Sequence, residues 1–149
     1  MRRFIKLLAT WFGTGLSPWA PGTMGTLGAI PFYLALAQLP LWLYGVTVAA
    51  FSVFSCWVSG HGEREFGERD PGKIVIDEVA GYLVAMTAVP CTWKTVLAGF
   101  VLFRFFDICK IPPARYFDRQ MKNGFGVVLD DIVAGIYSCV ALHLLKEFL

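Results

Sequence analysis

Ile74–Gly81 reads IVIDEVAG. Two adjacent carboxylates, Asp77 and Glu78, stand in a stretch otherwise free of charge from Ile74 to Pro90. An unpaired carboxylate in hydrocarbon costs roughly 2.5–3.5 kcal/mol even on the lenient insertion scale. Two side by side therefore call for cationic partners close by. The pattern returns as VVLDDIVAG, Val127–Gly135, and a further acid, Asp107, lies in FRFFDICK, Phe103–Lys110. The fold turns on where these acids meet.

The surrounding chain is oily. Of 149 residues, 56% are hydrophobic and 16% charged, against about 25% charged in an average soluble protein. No Asp, Glu, Lys or Arg occurs between Leu7 and Gly62. A soluble domain of this length needs charge on its outward faces, so the composition is that of a single membrane domain, residues 1–149. A formal charge of +2 is too small to imply nucleic acid. Cys56, Cys91, Cys109 and Cys139 lie far apart with no metal-ligand spacing, and read as packing residues.

The N-terminal MRRFIKLLATWF is basic and amphipathic, stops at Gly13 without a cleavage signature, and reads as a retained interfacial helix. Gly13–Leu27, GTGLSPWAPGTMGTL, carries too many glycines and prolines to be one continuous helix. Leu27–Leu39 is helical in character with an interruption at Pro31, and Leu41–Ser59 is a clean apolar run. His61–Lys73 reads as a polar loop that includes His61. Ile74–Val89, Trp93–Ile108 and Val127–Leu145 are the remaining apolar runs, with a polar connection over Ile111–Gly126. The expected fold is an all-α, polytopic membrane bundle of about five membrane helices plus the short interfacial helix. Arg2, Arg3 and Lys6, then Arg64, Arg69 and Lys73, then Arg115, Arg119 and Lys122 alternate with nearly uncharged connections. The positive-inside rule puts these three groups on the cytoplasmic side. Asp77, Glu78, Asp107, Asp130 and Asp131 then share that end.

Helical spacing places Asp77 with Gly81, and Asp131 with Gly135, on common faces. A glycine there permits close approach of a neighbouring helix or of a substrate. Arg104, Asp107 and Lys110 recur every third residue along one face. Several acids against two bases leave excess negative charge, which magnesium with its oxygen ligands would offset; a structural ion pair is the alternative for Asp107. Gly13–Thr26 offers backbone N–H groups and the hydroxyls of Thr14, Ser17, Thr23 and Thr26 as an anion cradle, or else is a re-entrant turn without a ligand. There is no Walker motif, no GxSxG elbow and no HExxH. Metal-activated water is then the natural hydrolytic route. A small proton- or ion-coupled transporter, which also uses intramembrane acids, is the rival reading.

Four stretches, GTGLSPWAPGTMGTL, DPGKIVIDEVAGY, FRFFDICK and NGFGVVLDDIVAG, occur in the order in which the phosphatidylglycerophosphatase A family carries them, and the chain resembles that family over nearly its whole length. The resemblance implies a bacterial inner-membrane phosphatase that removes the terminal phosphate of phosphatidylglycerophosphate with magnesium, at the cytoplasmic face. On that basis Asp77, Glu78, Asp107 and Asp131 are the catalytic candidates. Asp77, Asp107, Asp130 and Asp131 are the candidate magnesium ligands, and Gly22, Thr23, Thr26, Arg104 and Lys110 the candidate substrate contacts. The chain departs from the family pattern at Ile111–Pro112 and at Asn123–Gly124, both in the connection before the last helix.

Overall fold

The computed structural model describes residues 2–68, 71–112 and 124–148, with backbone alone for 124 and 125. Arg69, Arg115, Arg119 and Lys122, part of the orientation argument, lie outside the described residues. Six α-helices and one 3-10 turn, with no strand, make up the described residues. They are α1 (Arg2–Ala9), the turn Thr14–Leu16, α2 (Pro21–Leu36), α3 (Leu41–Phe66), α4 (Ile76–Ala85), α5 (Trp93–Cys109) and α6 (Gly124–Leu145).

The 10-residue α4 is the hub. In α4, Ile76, Asp77, Val79, Ala80, Gly81, Tyr82, Leu83 and Ala85 are all buried. Such a helix is apolar on every side because it is surrounded on every side. α2, α3, α5 and α6 wrap it. Tyr33, Tyr44, Tyr82 and Phe103 meet edge-on around it, with centroid separations of 6.0 to 6.4 Å. The Tyr44 hydroxyl donates to the Leu83 carbonyl at 2.7 Å, fixing the far end of α4 against α3.

The outward faces are apolar instead of charged. Trp42, Val46, Val53 and Trp57 of α3, Leu97, Val101, Phe105 and Ile108 of α5, and Ile136, Val140 and Leu144 of α6 are all exposed. These recur at helical spacing on faces that meet no other element, as a lipid-facing surface requires. Among the described residues, Leu41–Phe66 and Gly126–Leu145 are the two helices long and apolar enough to cross a membrane. α2 and α5 are shorter, at 16 and 17 residues, and α4 has 10.

Several boundaries differ from the sequence expectation. α3 does not stop at Ser59 but runs through the polar HGEREF to Phe66. Packing extends it: Gly62 lies against Ala9 and Ile74, Lys6 sits over the Phe66 ring at 4.9 Å, and Arg2 approaches Glu65 at 3.8 Å. Gly67, with φ of 71°, ends it in the left-handed conformation glycine supplies. His61 is thus helical, with its ring on Trp57. α2 begins at Pro21, inside the Gly-rich segment, with proline at the position where a missing N–H costs nothing. It also continues through Pro31, beside which the Trp11 indole donates to the Gly28 carbonyl at 2.8 Å. α5 starts with a capping box between Thr92 and Thr95, an arrangement worth about 1 kcal/mol.

One end of the bundle collects the chain's polar connections. Val75 N–H donates to the Ala9 carbonyl at 2.9 Å, so the N-terminal segment closes over the start of α4. Gly15 and Gly25 pack on Lys73 and Val75. Lys110, at the end of α5, reaches Asp130 of α6.

A buried carboxylate cluster as candidate active site

Asp77 and Glu78 occupy the first turn of α4. Asp130 and Asp131 lie on α6, within its apolar span. The two helices cross at glycines: a Cβ on Gly81 would lie 2.7 Å from the Asp131 carbonyl oxygen, and one on Gly135 would overlap the Gly81 carbonyl. Each acid stands one turn before its glycine, so the close crossing carries the carboxylates together. One oxygen each from Asp77, Glu78 and Asp131 lies within 4.8 Å of the others. Asp77 and Asp131 are buried, with 3% and 4% exposure.

α5 brings the cations. Arg104 Nη1 donates to Asp107 Oδ2 and lies 3.8 Å from Glu78 Oε1. The guanidinium thereby spans two carboxylates from different helices. Lys110, left-handed with φ of 43°, ends α5 and turns its ammonium to Asp130 Oδ2 at 2.6 Å. Asp107 and Asp130 each neutralise a base. Two atoms of the cluster, Glu78 Oε2 and Arg104 Nε, are buried without a hydrogen-bond partner among the described residues. Buried polar groups are almost always paired, so an orphaned acceptor beside two more carboxylates marks a place for a further ligand.

The N-terminus of α2 closes the cluster. A Cβ on Gly22 would collide with Glu78 Oε1 and come within 3.1 Å of both terminal Arg104 nitrogens. Any larger residue here must displace the Glu78 carboxylate. The hydroxyls expected to form an anion cradle are largely spent on the backbone. Thr14 donates to Thr10 and Trp11 carbonyls, Ser17 to Trp19, and buried Thr26 to Gly22 at 2.9 Å. Thr26 therefore braces the turn, while Gly22 and Thr23 carry first-turn N–H groups of the kind that point out of a helix start.

The structure brings Asp77, Glu78, Asp131, Arg104, Asp107 and Gly22 into one constellation, with Lys110 and Asp130 adjoining. Adjacent helical residues point about 100° apart, yet Asp77 and Glu78 both reach the same cluster. The Gly22 contact, 56 positions away in the chain, has no sequence signal.

Acids convergent at one end of an apolar helical bundle define a membrane protein with a polar, anion-rich site. Residues 7–146 match the family model described as Phosphatidylglycerophosphatase A. The Escherichia coli protein named phosphatidylglycerophosphatase A is 43% identical over 138 residues, covering 92% of this chain and 80% of its own. The Haemophilus influenzae protein of the same name is 38% identical over 147 residues, covering 97% and 90%. A Bacteroides thetaiotaomicron relative, 39% identical over 91% of this chain and 89% of its own, carries a different, provisional name, phosphatidylinositol-3-phosphatase. No solved structure matches. The chain belongs to the phosphatidylglycerophosphatase A family, and is a phosphatase.

Proposed function

We propose that the protein hydrolyses the terminal phosphomonoester of phosphatidylglycerophosphate, giving phosphatidylglycerol and inorganic phosphate, at the cytoplasmic face of a bacterial inner membrane that its helices cross about five times. The observation that carries this reading is the buried meeting of Asp77, Glu78 and Asp131 beside Arg104. Arg2, Lys6 and Lys73 lie at the same end of the bundle as these acids, as the positive-inside rule asks of a cytoplasmic site. A transporter would place its acids nearer mid-bilayer, and family membership does not favour it.

The residues fit a magnesium ion. Three carboxylates within 4.8 Å, two of them buried and the third with an orphaned buried oxygen, repel one another unless a cation stands between them. Magnesium usually takes only one or two carboxylates, so Asp77 and Asp131 would hold it, a set narrower than sequence alone suggested. When bound, the ion would polarise a phosphoryl oxygen and orient water. Arg104 offers its guanidinium to the equatorial phosphoryl oxygens, held in place by Asp107. The N–H groups of Gly22 and Thr23 face the same anion with the helix dipole behind them. Glu78 Oε2 accepts a proton from the water that attacks phosphorus, and that proton passes to the glycerol oxygen as its bond to phosphorus breaks. Lys110 and Asp130 hold α5 against α6.

Purified protein in detergent, given phosphatidylglycerophosphate and magnesium, releases phosphate on this account. Failure to release any, with helix content intact, would contradict it.

A further inference from the structure

Between α2 and α5 runs an apolar groove of about 440 Å³, lined by Leu27, Ile30 and Leu34 on one side and Trp93, Leu97 and Phe100 on the other. It is open outward: Leu34, Leu97 and Trp93 are 44%, 55% and 74% exposed. Its position is set by the same two helices that frame the polar site. Leu27 lies one turn beyond Thr23, and Phe100 one turn before Arg104. The groove starts about 7 Å along α2 from Gly22 and reaches Leu34 at about 18 Å, at 1.5 Å per residue. Half of a ~30 Å hydrocarbon core is about 15 Å, so the groove, about 11 Å long by the same rise, covers most of one leaflet. The interval before Leu27 leaves room for the glycerol that joins a phosphate to its tails.

We infer that this groove is the substrate's tail site: one acyl chain of the lipid whose phosphate lies at Gly22 and Arg104 seats between α2 and α5. The inference rests on the proposed lipid substrate. It follows from continuity, since a ligand anchored at Gly22 and Arg104 and extending into the bilayer meets this apolar channel first. Headgroup chemistry selects the phosphate, and the groove selects a long chain beside it.

Leu97→Trp fills the groove from its exposed rim without touching the polar site. With long-chain diacyl phosphatidylglycerophosphate, kcat/KM should fall about tenfold, the scale of apolar pocket discrimination. With the dihexanoyl form it should stay within about twofold of wild type. Val53→Trp, on the exposed face of α3, should change neither. Equal losses on both lipids in the folded Leu97→Trp protein, or no loss on either, would overturn the inference. Should wild type hydrolyse neither lipid, the functional reading falls, and the groove is judged by Trp93 fluorescence. Dilute phosphatidylglycerophosphate with brominated tails should quench a component missing from Trp93→Phe, and brominated phosphatidylcholine at the same mole fraction should not. Equal quenching by both lipids would mean ordinary bilayer lipid fills the groove, and would overturn the inference.

Discussion

Gly135 meets Gly81 backbone to backbone: a Cβ on the former would occupy the carbonyl oxygen of the latter, and the Val84 Cβ stands 3.1 Å away. The contact positions the site, because Asp77 and Asp131 each precede one of these glycines by a single helical turn. Gly135→Ala must push α6 from α4, an overpacking that costs about 1–3 kcal/mol. Thermal unfolding in detergent should show that loss. Gly45→Ala in α3, where a Cβ meets nothing within 4 Å, should be neutral or stabilise by up to about 1 kcal/mol. The opposite signs separate crowding from helix propensity.

Asp77→Asn keeps the shape of the side chain and removes its charge from the trio with Glu78 and Asp131. Phosphate release should drop by at least about a hundredfold, the order seen when a preorganised electrostatic group is lost. The melting temperature should not fall, since one of several mutually repelling buried carboxylates has been removed. Near-normal turnover would remove Asp77 from the site.

Arg104→Lys preserves charge but cannot span Glu78 and Asp107 as the guanidinium does. A point charge on a flexible stem is a poor substitute for a planar fork. A fall in kcat/KM of about tenfold or more is expected, read by steady-state kinetics across lipid concentration. Equal kinetics would mean that Arg104 is only a neutralising charge.

Gly22→Ala drives a methyl group into Glu78 Oε1. The carboxylate end can swing aside, so the fold should tolerate the change, with unfolding shifted by less than about 1 kcal/mol. Turnover should nevertheless fall about tenfold or more, because Glu78 and Arg104 are displaced together. Unchanged turnover would show that α2 does not border the reacting phosphate.

What the sequence revealed, and what it hid, follow from the range of the interactions. Apolar runs exposed the central parts of α3, α5 and α6, and a glycine one turn after Asp77 and after Asp131 marked places of close approach without saying what approaches. The pairing of Arg104 with Asp107 was legible because it lies within one turn. Lys110 with Asp130 was not, since a left-handed residue and an intervening connection decide where the ammonium goes. HGEREF read as loop because its residues are polar; contacts from Ala9, Lys6, Arg2 and Ile74, remote in sequence, hold it helical. The start of α2 at Pro21 was masked by glycines that serve close packing on Val75, Glu78 and Trp11. Nothing local tells a glycine needed for contact from one needed for a turn.

The most direct test compares phosphate release from phosphatidylglycerophosphate by wild type and Asp131→Asn, each with magnesium and after chelation. Wild type should turn over with magnesium and fall to background without it, recovering on re-addition, and Asp131→Asn should stay at least about a hundredfold lower throughout. Turnover that survives both chelation and the substitution would contradict a metal held between the carboxylates of α4 and α6.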